Sequence, residues 1–301
     1  IADWNTSGTS DIWVKVPSLS GTSTVITAAW GKTGTETTPD YATDDPVWSN
    51  EYHGVWHLND ITTGNFVSDS GTNSFHGQVY GGAVNQTGLV GDGLYFDGTN
   101  DYVSFGVDAG NPGTSSFTAS FWAKWIGSGQ PDQKYILNSK EEDANSGWYI
   151  SSHGSAHFKV EGSGAQQRVL SLGSNWSAND WHHVVIQFYP DSTTTEGGRA
   201  KNYVNGAFVG DAGAGIQPVG VGTGPLLLGS GPNSGLPWLG NIDEVSISST
   251  LRSADWIKAE YDNQKSSQSL VSYGSITGPR IITSPLSASG TFGSSFSYTL
   301  T

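Results

Sequence analysis

The densest oxygen chemistry in the chain lies between Gly91 and Val103, where Asp97, Asn100 and Asp101 fall within five positions. A hard cation such as calcium takes six to eight oxygens from turns of this kind. The flanking runs Leu94-Tyr95-Phe96 and Tyr102-Val103-Ser104-Phe105 alternate as strands do, and the linker Asp-Gly-Thr-Asn-Asp holds residues suited to a tight turn. The segment therefore reads as a β-hairpin whose turn could carry a metal. Two further oxygen-rich places could contribute: Asp69 with Asn73, and Asp243 with Glu244. Calcium is the expected cofactor.

A second chemistry is sugar recognition, which uses an aromatic platform beside amide and carboxylate groups. Trp148, Trp176 and Trp238 lie in or next to loop-like stretches, and Glu141 and Asn145 belong to a polar, acidic loop close to Trp148. These five are the expected ligand-binding residues. Trp122 and Trp181 lie within strand-like runs and read as core. Glycoside hydrolysis would need two carboxylates facing one another across roughly 5–9 Å. Asp243 and Glu244 are adjacent, and an extended strand sends neighbours to opposite faces. His182 and His183 alternate in the same way, with no partnered acid. No phosphate loop, zinc spacing or nucleophile elbow occurs, so no catalytic residue is expected.

The elements that must hold these groups are short strands. The chain has 301 residues, with 12 Trp, 12 Tyr, 11 Phe and 41 Gly, and only 13% charged residues. That composition favours many strands joined by glycine-containing turns. A net charge of −14 makes nucleic acid a poor partner. Absence of cysteine removes a disulfide framework and thiol chemistry, and points to a bacterial secreted or surface protein. No apolar run approaches the roughly 20 residues that span a bilayer. The chain has no methionine and reads as a processed or excised piece of something longer. Asn205-Gly206 is a strong hairpin signal. Ser253 followed by Trp256, Ile257, Glu260 and Tyr261 predicts one short helix with a serine N-cap.

Seven short motifs occur in a characteristic order: Gly54-Val55-Trp56-His57-Leu58, Asp69-Ser70, Gly93-Leu94-Tyr95-Phe96-Asp97-Gly98 with Asp101-Tyr102-Val103, Phe117-Thr118-Ala119-Ser120-Phe121-Trp122, Trp181-His182-His183-Val184, Tyr203-Val204-Asn205-Gly206, and Ile242-Asp243-Glu244-Val245. Together they resemble the laminin-G-like, concanavalin A-like jelly-roll family over residues 51–265. The resemblance implies an all-β, two-sheet antiparallel jelly-roll sandwich with one short C-terminal helix. It also implies a structural calcium near Asp69, Asn73, Asp97, Asp101 and Asp243, and binding of carbohydrate or of matrix and cell-surface glycans. Residues 1–50 resemble the end of an upstream β-rich domain and linker, 266–278 a linker, and 279–301 the first strands of an immunoglobulin-like domain. The expected role is a non-catalytic, extracellular carbohydrate-binding module beside neighbouring β domains. A structural or adhesive spacer is the second reading, and a polysaccharide hydrolase the third.

Overall fold

Apolar and polar residues alternate along most of the chain between Tyr52 and Ser248, and this period of two is what turns it into strands with one inward face. The computed structural model describes residues 12–16, 47–49, 51–61, 64–112, 116–127, 133–140, 147–152, 157–161, 167–171, 177–191, 193, 197–211 and 222–267. By its contacts the chain divides into two compact units, 1–13 with 48–267 and 14–47 with 268–301. The described residues fall almost wholly in the first. The pieces expected at 1–50 and 279–301 lie largely outside them.

In order, the strands are β1 (Tyr52–Trp56), β2 (Phe66–Val67), β3 (Gly77–Tyr80), β4 (Val84–Thr87), β5 (Asp92–Asp97), β6 (Tyr102–Ser104), β7 (Phe117–Trp125) and β8 (Tyr135–Asn138). There follow β9 (Tyr149–Ser152), β10 (His157–Glu161), β11 (Gln167–Ser171), β12 (His182–Pro190), β13 (Gly198–Val204), β14 (Ala207–Asp211), β15 (Leu227–Leu228) and β16 (Leu239–Ser248). Helix α1 (Ala254–Gln264) comes last. One sheet runs β14-β13-β12-β7-β16-β5-β4, with β1 also on β16; the other runs β11-β10-β9-β8-β15-β6-β3-β2. Every pairing is antiparallel. The fold is a two-sheet jelly-roll sandwich.

Between the sheets lies one apolar core. It includes Trp56, Phe96, Phe117, Phe121, Trp148, Phe188 and Trp238, all essentially without exposure. Each such side chain stabilises the sandwich by about 1.5–3 kcal/mol on burial. The expected hairpin at Asn205-Gly206 is present. Both residues have left-handed φ, 52° and 75°, and Val204 pairs with Ala207.

The expected hairpin at 97–101 is not a hairpin. β5 belongs to one sheet and β6 to the other, so residues 98–101 form a corner carrying the chain between layers. The corner between β3 and β4 packs against it. A Cβ on Gly81, whose φ is +80°, would lie 2.2 Å from the Asn100 carbonyl oxygen, so only glycine fits.

Helix α1 begins as expected, with the Ser253 hydroxyl accepting from the Trp256 N–H. It covers the outer face of the sheet that holds β7 and β12. Ile257 packs on Val185 and Tyr203, and the Trp122 indole N–H donates to Gln264 Oε1 at 2.6 Å. Beneath it the Ser120 hydroxyl donates to Glu260 Oε1 at 3.2 Å and stands 3.0 Å from His183 Nε2, with the second Glu260 oxygen 3.7 Å from that nitrogen. Burial raises Glu260 from 4.5 to about 7, against the pull of the Ser120 hydroxyl and the Arg252 charge. Burial lowers His183 to about 3.

These shifts have opposite signs in stability. The folded state holds the Glu260 proton that the unfolded chain has lost, so Glu260 subtracts stability as pH rises from 4.5 towards 7. His183 subtracts stability as pH falls from 6.5 towards 3. Replacing Glu260 with Gln should therefore make the protein progressively more stable than wild type as pH rises through that window, by up to about 3 kcal/mol at neutral pH. Melting curves recorded across the window check this. Wild-type and variant curves that stay parallel would mean that burial does not raise Glu260.

Candidate functional site

Two places concentrate polar chemistry among the remaining described residues. The first is a buried junction in β16. Its N-terminal half, Leu239–Ile242, pairs with β5, while Val245–Ser248 pairs with β1 on the same edge; β7 occupies the other edge throughout. Register slips between Asp243 and Ser246, and Glu244 adopts a left-handed φ of 49°. This is a β-bulge, and it changes where the two carboxylates go. Both carboxylates are buried, and each meets a different partner.

Asp243 turns towards the loop before β5. Its Oδ2 accepts from Leu89 N–H at 2.7 Å and Val90 N–H at 3.0 Å, and its Oδ1 accepts from Glu244 N–H at 2.8 Å. Burial and the Glu244 charge push Asp243 well above the usual carboxylate range, against these three donors. Glu244 turns the other way and meets His57 Nδ1 at 2.8 Å, just beyond the end of β1. Trp13 stacks on His57 at 5.3 Å between centroids, and Trp48 lies 5.4 Å away. Burial lowers His57 to about 4, opposed by the charges of Asp243, Asp60 and Asp69. All three side chains, His57, Asp243 and Glu244, are buried.

The second place is open. On β3 and β6, Val79 and Val103 point into the core, so Tyr80 and Tyr102 point outward from the other sheet. They pair directly across the strands and stack, with centroids 4.8 Å apart and planes 14° apart. The two rings border a hollow of about 220 Å³ completed by Ser104, Pro225, Leu227 and Asn233. Tyr80, the last residue of β3, is 45% exposed. The hollow offers aromatic faces, a hydroxyl and an amide, with no carboxylate or cation in its lining.

The expected metal ligands do not gather. Asp69 Oδ1 accepts from the N–H groups of Val55 and Gly71, and its Oδ2 from that of Phe75, at 2.7–2.9 Å. Asp97 caps Thr99 N–H, and Asp101 caps Asp97 N–H. Exposed Asn73 donates to the His53 carbonyl. Among the described residues no three acidic, histidine or cysteine side chains converge as a metal site would require. Each carboxylate instead holds backbone amides, so the donor set does not fit a calcium ion that needs most of those lone pairs.

The expected sugar platform is also relocated. Trp148 is fully buried between Phe117 and Phe188, with its indole N–H on the Gly110 carbonyl at 2.9 Å. Trp238 is fully buried edge-on to Trp125. Neither can meet a ligand; loop-like sequence around each concealed an inward rotation. Trp176, Glu141 and Asn145 lie outside the described residues. What sequence reasoning missed is the Tyr80–Tyr102 pair, legible as the outward phase of Gln78-Val79-Tyr80 and Tyr102-Val103-Ser104.

A model of the laminin-G type, described as the concanavalin A-like lectin/glucanases superfamily, matches residues 97–258. The chain belongs to that superfamily. Its members' fold accounts for the order of motifs from β5 to α1. The non-toxic nonhemagglutinin type A protein of Clostridium botulinum is 31% identical over 102 residues, 33% of this chain but only 8% of that one. Among solved structures, the receptor binding domain of botulinum neurotoxin D has a TM-score of 0.52 at 16% identity, covering 71% of this chain and 53% of that chain. Domain 4 of the extracellular arabinanase AbnA of Geobacillus stearothermophilus, solved with arabinotriose, has a TM-score of 0.50 at 15% identity, covering 69% and 97%. At these identities the solved structures speak to the fold.

Two outcomes follow from the carboxylates of this superfamily member. Asp69→Ala strips the acceptor from three amides and should lower unfolding free energy by about 3 kcal/mol or more in urea titrations. Excess EDTA should leave the melting temperature within about 1 °C of its untreated value, since the carboxylates expected to hold calcium are engaged by backbone amides. A drop of several degrees would restore calcium to the account.

Proposed function

We propose that this chain is a non-catalytic carbohydrate-binding module of a secreted or cell-surface protein, and that the glycan rests on the Tyr80–Tyr102 pair. The observation that carries this reading is a stacked, partly exposed aromatic pair where β3 ends and β6 begins, at the mouth of a small hollow. An exposed aromatic face removes the apolar C–H surface of a sugar ring from water, and neighbouring hydroxyl and amide groups satisfy its hydroxyls. Ser104 and Asn233 are placed to do so. The hollow is smaller than pockets for drug-sized ligands, which suits one or two sugar units of a longer chain.

Superfamily membership supports the reading, as does the arabinotriose complex of the arabinanase domain. The neurotoxin neighbours are receptor-binding domains, which also fits a binding role. Hydrolysis finds no support among the described residues, because the lining of the hollow holds no carboxylate and Asp243 and Glu244 are buried. The chain spans about half the length of the neurotoxin domains that it resembles, so their receptors are not carried over.

Titration calorimetry against neutral plant and bacterial oligosaccharides tests the proposal. Tyr80→Ala and Tyr102→Ala should each weaken binding about tenfold or more. The Tyr80 variant should keep its melting temperature within a few degrees, because that ring is nearly half exposed and lies outside the core. Silence across a broad glycan panel would leave the chain as a structural spacer.

A further inference from the structure

The hollow is assembled from two parts of the chain that share an unusual property. No lysine or arginine occurs between Lys32 and Lys124, and none between Lys201 and Arg252. Tyr80, Tyr102 and Ser104 come from the first stretch, and Pro225, Leu227 and Asn233 from the second. Nothing in the lining is charged. The nearest carboxylates by position belong to the β5–β6 corner: Asp101 beside Tyr102, and exposed Asp97. The strand beyond β15 is β8, which is flanked by Lys134 and Lys140; Lys140 is buried.

We infer that the hollow selects uncharged glycans and turns away sialylated, uronate-bearing and sulfated ones. The inference rests on the reading that this is a glycan site, and adds the class of glycan. Recognition of a carboxylate or sulfate requires a partner that compensates its lost hydration, usually an arginine fork or an ammonium. Among the described residues, neither lines the hollow. A chain of net charge −14 adds a repulsive field at long range. Surface available to a neutral polymer extends beyond the hollow. Phe66, 44% exposed, sits opposite Gln78 on the same outer face, so exposed rings run across the neighbouring strands β2, β3 and β6. Contacts of that kind depend on apolar area and are insensitive to salt.

The test titrates the whole chain with arabinotriose, xylotriose and cellotriose, and with trigalacturonate and sialyllactose. Unsubstituted xylan and glucuronoxylan form a matched pair that differs only in the acidic branch. At least one neutral probe should bind with an affinity that stays within about twofold between low and high salt. The acidic probes should bind at least about tenfold more weakly. Tyr80→Ala should abolish the neutral binding. Tighter binding of an acidic probe, lost in Tyr80→Ala, would overturn the inference while leaving the glycan site in place. Binding of any probe that survives both Tyr80→Ala and Tyr102→Ala would overturn it by placing the glycan elsewhere. Failure of every probe would remove the glycan reading itself, and this inference with it.

Discussion

One edge of β16 has two partners. β5 pairs with its first half and β1 with its second, while β7 runs along the opposite edge. Where one partner ends and the next begins, a sheet would expose unpaired backbone amides in its interior, which costs more than the fold can bear. The bulge at Asp243 and Glu244 answers that constraint. Asp243 satisfies two amides of the 89–90 turn and its own successor, and Glu244 secures the residue that follows β1. A left-handed φ at Glu244 costs on the order of 1 kcal/mol and is over-determined by these bonds. The turn approaches so closely that a Cβ on Gly88 would lie 2.5 Å from the Asp243 carboxylate.

The same physics explains the other acidic residues. In a jelly roll the chain must cross repeatedly between layers, and every crossing leaves amides that no ladder satisfies. Asp69, Asp97 and Asp101 each take up such amides at a turn or corner. An oxygen-rich turn has the same sequence whether its oxygens face a cation or its own backbone. The distinction lies in where the neighbouring N–H groups point, which is set by tertiary crossings and not by local spacing.

Legibility divides along that line. Features with a short period were readable: the strands, the Asn205-Gly206 turn, and the helix with its Ser253 cap. Features set by partner choice were not. Residues 97–101 look like a hairpin because both flanks alternate, yet β5 and β6 go to different sheets. Trp148 and Trp238 sit in glycine-rich surroundings that read as loops, and nothing local reveals that both rings turn inward. Tyr80 and Tyr102 carried a usable signal, since each lies one residue from a core valine; their direct pairing was not legible, because it depends on register across strands 22 residues apart.

The two outer faces of the sandwich then have different fates. Helix α1 covers one, seating Ile257, Glu260 and Gln264 over β7 and β12, so the polar side chains there become internal. The face of the opposite sheet at β3 and β6 has no such cover among the described residues and keeps aromatic rings at its surface. Rings left in water serve neither the core nor a turn, whereas every conspicuous carboxylate described above does structural work. On the proposed reading, binding chemistry lies among residues that the fold does not require, and the scaffold that holds them can stay rigid whatever rests on β2, β3 and β6.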